Sequence, residues 1–190
     1  MTRHGSRLFI AVGSNLPALL EGAKEAVDTA IRQVAQLGPV KRSNLYVTSC
    51  FPAGLGPDFV NAVVELDADL PAQAALTALH EIEDRAGRQR AERWGPRVLD
   101  LDLLAVGQNV LPDEHTHDVW RGLPLDRQMA DAPDRLILPH PRLQDRAFVL
   151  VPWADVAPDW SHPRTGLTVA QMLAALPAAD VASVRRLDDG

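Results

Sequence analysis

Apolar positions follow two rhythms along the first half of the chain. RLFIAV (7–12) is a short continuous apolar run, as a buried strand would show. GSNLP breaks it, and Pro17 opens a helix well because the first helical turn does not use its missing N–H. Leu20, Ala23, Val27, Ala30, Ile31, Val34 and Leu37 then fall on one helical face, and Gly38-Pro39 ends the element. KRSNLYVTS (41–49) predicts a second strand, TSCFPAGLGPD (48–58) a loop and FVNAVVELDAD (59–69) a third strand. PAQAALTALHEIEDRAG (71–87) predicts a helix, GRQRAERWGPR (87–97) a loop and VLDLDLLAV (98–106) a fourth strand.

The order β-α-β-β-α-β contains two βαβ halves. It predicts an α+β, ferredoxin-like (split βαβ) antiparallel sheet with both helices on one face and a hairpin between the second and third strands. Past Gly107 the pattern weakens. Residues 108–136 read as a polar, proline-containing excursion, 138–160 as short apolar pieces between prolines, and TVAQMLAAL (168–176) as a short terminal helix. The expectation is one domain over residues 1–190, with an extended insertion at about 108–134 and a C-terminal extension. Ser14 and Asn15 are expected to cap the turn into the first helix.

Composition narrows the class. Hydrophobic residues make up 46% of the 190 positions and charged residues 23%, which is a globular balance. The net charge of −6 argues against a general nucleic-acid binder, whose affinity comes from neutralising phosphates. The one cysteine, Cys50, permits no internal disulfide and no cysteine-based metal site, which suits a reducing compartment. Leu8 to Val12 is too short for a signal-peptide core, and no window approaches a membrane span, so a cytoplasmic location is expected.

The fourth strand carries the candidate chemistry. Alternation puts Asp100 and Asp102 on one face with Val98 and Leu104, and makes Leu99, Leu101, Leu103 and Ala105 the core face. Two carboxylates about 6.5–7 Å apart repel one another when desolvated. Divalent cations relieve that repulsion, and hard oxygen ligands suit Mg²⁺, which shares its remaining positions with water and phosphates. On spacing alone, pairing with arginines at a sheet edge explains the aspartates slightly better. The adjoining loop shifts the balance. Arginines 85, 88, 90, 93 and 97 face one acid, Glu92, so this segment is net +4 within a chain that is net −6. Cations for phosphate oxygens beside carboxylates for Mg²⁺ are the parts of phosphoryl transfer. His115 and His117 in the polar excursion read as solvated residues without a role.

RWGPRVLDLDLL, GSNL, DFVNAVVEL, the IE before the arginine loop and LPHPRLQDRAFVLVP occur in the order found in the 6-hydroxymethyl-7,8-dihydropterin pyrophosphokinase family of folate biosynthesis, which this chain closely resembles over roughly residues 8 to 160. The resemblance implies the same ferredoxin-like fold. It implies two Mg²⁺ ions on Asp100 and Asp102 that bridge ATP and the pterin hydroxymethyl group, with Arg88 and Arg97 binding the triphosphate and supporting transfer. It assigns Glu83, Arg90, Trp94, His140, Arg146 and Arg135 to the nucleotide. Asn61 is assigned to a pterin hydrogen bond, Thr48 to a backbone contact with the pterin, and Phe59 and Phe148 to the two faces of the pterin ring, where flat aromatics stack well.

The activity so implied is ATP-dependent diphosphotransfer, giving AMP and the pterin diphosphate. The pterin oxygen attacks the β-phosphorus in line, the protein contributes positioning and charge stabilisation, and no histidine or lysine stands out as general base, which leaves Asp102 or metal-bound water as candidates. The loops at 48–58 and 87–97 are expected to order on binding both substrates and exclude water. The expected partners are these small molecules, with neither nucleic acid nor membrane, and the sequence does not give the oligomeric state. Two other readings use the same features: a Mg²⁺-dependent phosphohydrolase, and a ferredoxin-like RNA-binding module. The charge of −6 and the acidic pair oppose the second.

Overall fold

The computed structural model describes residues 6–16, 20–49, 57–87, 98–124, 127 and 130–187. The first half of the fold follows the expected order: β1 (Ser6–Ser14), α1 (Leu20–Val34), β2 (Val40–Arg42), β3 (Tyr46–Thr48), β4 (Phe59–Ala68), α2 (Ala72–Arg85) and β5 (Asp100–Val106). The sheet runs β5-β1-β4-β3-β6, with β2 also paired to β4, and the final strand β6 is Arg185–Arg186. The pairings are antiparallel. Alternate residues of β1 and β4, including Leu8, Ile10, Val12, Val60, Ala62 and Val64, pack under Ala23, Val27 and Ile31 of α1 and Leu79 and Ile82 of α2. Both helices therefore cover one face, as the ferredoxin-like arrangement requires.

The strand expected over 41–49 is two short strands. Ser43 interrupts it: its N–H donates to the Val63 carbonyl (2.9 Å), while its Oγ accepts from the Val63 N–H (3.0 Å). A side-chain oxygen thus replaces a ladder carbonyl, and the chain kinks between β2 and β3. The turn that Ser14 and Asn15 are expected to cap runs into residues 17–19, outside the described residues. The Ser14 hydroxyl donates to the Val98 carbonyl at 2.6 Å and ties the end of β1 to the residues entering β5.

The opposite face of the sheet is a second core that periodicity did not reveal. After Gly107 come α3 (Glu114–Arg121), a 3-10 turn at Leu143–Asp145, and α4 (Ala147–Val156), α5 (Val169–Ala175) and α6 (Ala178–Ser183). Phe9, Val63, Leu104 and Ala105 pack there against Leu150, Trp153, Trp160 and Met172. Trp153 stacks on Trp160 with centroids 4.8 Å apart and lies 5.1 Å from Phe9. The α4 helix contains Pro152, and α5 begins in a capping box between Thr168 and Gln171. A bulge explains why Ala105 is not on the face expected for it. Phe9 pairs with Ala105 but Ile10 with Leu103, so Leu104 is extra and alternation resets. Beyond Asp102, β5 is buried on both faces.

The polar excursion is also partly helical. Asp113 caps α3, its carboxylate accepting from the Thr116 N–H at 2.9 Å. His117, expected to be solvated, is 0% exposed. Among the described residues, no helix is long and apolar enough to cross a membrane.

Candidate active site

Cross-strand pairing assembles the site on the face away from α1 and α2. Gly13 lies opposite both Asn61 on β4 and Asp100 on β5, and Ala11 lies opposite both Val63 and Asp102. Residues opposite one another in a sheet project to the same face. Asp100, Asp102, Asn61 and, two residues before it, Phe59 therefore share a surface whose floor carries almost no side chain. A Cβ placed on Gly13 would meet Asn61 Oδ1 at 3.2 Å. Asn61 Nδ2 donates to Thr48 Oγ1 at 2.9 Å, which fixes the amide above the floor. Asn61 is largely buried, whereas Thr48 and Phe59 are half-buried.

The aspartates are half-buried at the start of β5, where the second core has not yet closed over the strand. Arg146 Nη1 lies 3.5 Å from Asp102 Oδ2, and its guanidinium carbon sits 5.6 Å from the Phe148 ring centroid. Arg146 immediately precedes α4 and Phe148 lies in its first turn, so the packing of that helix sets where both side chains stand. Phe148 is 39% exposed.

A cavity of about 560 Å³ opens along the outer edge of β5, a size suited to a nucleotide. It brings together Asp102, Arg135, His140 and Arg146, four of the residues expected to act there. It also contains Arg142 and, from α3, Trp120, which sequence reasoning passed over. Arg142 sits in the same LPHPRLQDR stretch as His140 and Arg146, so that motif could have pointed to it. Burial and the nearby Arg146 push the Arg142 guanidinium below its ordinary pKa. Arg135 forms a two-pronged pair with Asp134, both contacts at 2.9 Å. Thr48, Phe59, Asn61 and Phe148 do not line this cavity; Phe59 and Asn61 lie on β4, which β1 separates from β5.

His140 presents a neutral imidazole. Its Nδ1 accepts from the Arg142 N–H at 3.1 Å, which leaves the proton on Nε2. Burial, with Arg146 and Arg142 adding like charge, pushes its pKa down to about 3. Burial also pushes His162 down to about 4, and lowers His117. Below about pH 6.5 the unfolded chain binds more protons than the folded one, so stability is lost as pH falls towards these depressed values. Urea unfolding between pH 7 and 5 is expected to show a falling midpoint, as the unfolding free energy drops by up to about 1.4 kcal/mol per pH unit for each such histidine. A flat profile across that window contradicts the buried neutral assignment.

Glu83, which the resemblance assigns to the nucleotide, bonds the backbone of β5. It is 0% exposed on the inner side of α2, and its Oε1 accepts the Leu101 N–H at 2.8 Å. Leu101 lies between the two aspartates on the edge strand. The carboxylate thus satisfies an outward-facing amide that no neighbouring strand could reach. Arg88, Arg90, Trp94 and Arg97 lie outside the described residues, as do most of both loops expected to order on binding.

The donor set suits a hard cation. Among the described residues, no group of three or more His, Cys, Asp or Glu side chains could hold a metal ion on its own. Two half-buried carboxylates on an open face supply only part of a coordination shell, leaving the remainder to water and substrate oxygens, as Mg²⁺ prefers.

Comparison with known proteins gives a consistent result. Residues 9–158 match the family model described as 7,8-dihydro-6-hydroxymethylpterin-pyrophosphokinase (HPPK). The chain is 39% identical over 171 residues to the 2-amino-4-hydroxy-6-hydroxymethyldihydropteridine pyrophosphokinase of Pseudomonas aeruginosa, covering 90% of this chain and 92% of that one. It is 36% identical over 170 residues to the protein of the same name from Synechocystis, covering 90% of this chain and 75% of the relative. Its fold is similar to a solved HPPK-DHPS of Plasmodium falciparum, with a TM-score of 0.65 at 13% identity. That match covers 90% of this chain, which spans 44% of the solved one.

Proposed function

This chain belongs to the 7,8-dihydro-6-hydroxymethylpterin-pyrophosphokinase family, and from that premise we propose that it transfers the β,γ-diphosphoryl group of ATP to the hydroxymethyl oxygen of 6-hydroxymethyl-7,8-dihydropterin in folate biosynthesis. AMP leaves and the pterin diphosphate is formed. The observation that carries this reading is the pair Asp100 and Asp102 on an open sheet face, with the cavity holding Arg146 and His140 along the outer edge of β5 and Asn61, Thr48 and Phe59 on the strands beyond β1. Two substrates that react with each other need such a meeting line.

Asp100 and Asp102 would hold Mg²⁺, two ions in the full assembly. When bound, Mg²⁺ supplies charge neutralisation on the phosphates and eases ionisation of the attacking alcohol. Arg146 anchors ATP oxygens while remaining near Asp102, and His140 offers its Nε2–H as a neutral donor. Arg142 and Arg135 add positive charge on the cavity wall. Asn61 and Thr48 orient the pterin through hydrogen bonds, and Phe59 and Phe148 hold its ring. Arg88 and Arg97 are assigned to the triphosphate, Arg90 and Trp94 to closure over the nucleotide. The small-molecule partners and a cytoplasmic location belong to the same reading.

Family membership leaves the phosphohydrolase and RNA-binding readings without support. The test is the formation of AMP from ATP and Mg²⁺ with and without hydroxymethyldihydropterin. AMP is expected only when the pterin is present. Phosphate release at equal rates without it overturns the proposal.

A further inference from the structure

The extended segment after β5 contributes a helix to the cavity wall, and one side chain of that helix reaches the turn carrying His140. His117 Nε2 lies 2.9 Å from the Pro139 carbonyl oxygen. A carbonyl only accepts, so Nε2 carries the proton. The next backbone amide, the His140 N–H, donates to the Leu104 carbonyl at 2.8 Å. The carbonyl and the N–H belong to one peptide unit. That unit is held from one side by β5, two residues beyond Asp102, and from the other by α3.

The helix that supplies His117 is itself fixed. Arg164 Nη2 pairs with Asp118 Oδ2 at 2.6 Å, and Arg164 also pairs with Glu114. The His117 ring is 0% exposed and packs against His162, with centroids 5.6 Å apart. One turn further along α3, Trp120 lines the cavity beside His140. An imidazole anchored in this way cannot follow a wandering turn; it holds the turn in place.

We propose that α3 is an active-site element and His117 a positioning residue, which fixes the Pro139–His140 peptide and so sets where the His140 side chain meets ATP. This inference rests on the pyrophosphokinase reading for its ligand. A positioning role makes two demands that packing alone does not. The effect must fall on ATP and not on the pterin, and it must depend on a donor at the Nε2 position.

The experiment compares His117→Leu with His117→Gln, whose amide nitrogen can take the place of Nε2. For His117→Leu, the KM for ATP is expected to rise about tenfold, the equivalent of one lost buried hydrogen bond, with kcat and the pterin KM within about twofold. His117→Gln should restore most of the ATP affinity. In parallel, hydrogen exchange at the His140 amide should accelerate in His117→Leu and return towards native in His117→Gln. If His117→Leu does not fold, His117→Asn, too short to reach Pro139, takes its place in the comparison. An unchanged KM for ATP, equal behaviour of the Gln and Leu variants, or a matching rise in the pterin KM overturns the proposal. If the native protein makes no AMP, the functional reading has failed, and the His140 exchange data with calorimetric titration of ATP still decide the role of His117.

Discussion

Asp100→Ala and Asp102→Ala are each expected to lower turnover roughly a thousandfold or more while pterin affinity stays within severalfold. The reason lies in where the carboxylates stand. They project from the face opposite α1 and α2, so neither contributes to the core around Leu101 and Leu103, and the fold should survive their removal. Asp102 also stands 3.5 Å from Arg146, so Asp102→Ala releases a cation that the native site holds in place. Asp102→Asn separates the two contributions, because it keeps a polar partner for Arg146 but removes the charge that a cation needs. It should therefore be nearly as inactive as the alanine variant. Single-turnover AMP formation measures the loss, and pterin fluorescence titration measures the binding that persists. A double alanine variant with near-native turnover sinks the metal assignment.

Trp153→Ala is expected to destabilise the protein by about 3–5 kcal/mol, the range for removing a fully buried large aromatic. Trp153 is 0% exposed, stacks on Trp160 and touches Phe9 from the sheet, so the void would open in the middle of the second core. For a chain of this length, that loss lowers the melting temperature by roughly 6–20 °C. Trp153→Phe should cost much less. The indole Nε1 has no hydrogen-bond partner among the described residues, so only volume and stacking are given up. Denaturant unfolding of the pair measures both. An alanine variant within about 1 kcal/mol of native would mean that the second layer does not hold α4 to the sheet. In the proposed reading the effect reaches function, because Arg146 and Phe148 stand at the beginning of α4.

The first layer was legible because it obeys one period per element. Ala23 through Val34 keep the 3.6-residue spacing of α1, although Leu20 is exposed and Leu37 lies past the helix end, and the sheet segments are separated by glycine and proline. The second layer was not. Phe9 and Val63 are simply the alternate residues of two expected strands, and Pro152 inside α4 breaks the apolar run that would have announced a helix. Ala105 was misplaced because a bulge at Leu104 has no local sequence signature. His117 shows the limit most plainly: a polar loop composition describes its neighbours, whereas its burial depends on contacts distant in sequence, with Pro139 and with His162. In the candidate site, the D-x-D strand and the resemblance pointed to Asp102, Arg135, His140 and Arg146, which meet at one cavity. They did not reveal that Glu83 supports the strand from beneath.

Gly13 has a consequence for substrate choice. It is the single residue between Asn61 and Asp100 in a row across three hydrogen-bonded strands, which separates their backbones by about 9.5 Å, twice the spacing of neighbouring strands. In the proposed reading, the pterin ring is held at one end of that row and its reacting oxygen is delivered at the other. The sheet therefore acts as a gauge for the length of the arm between ring and alcohol. Because backbone hydrogen bonds set this gauge, side-chain replacement along the row can alter affinity but cannot lengthen the reach, and alcohols on longer arms should remain poor acceptors whatever residue is placed at position 61.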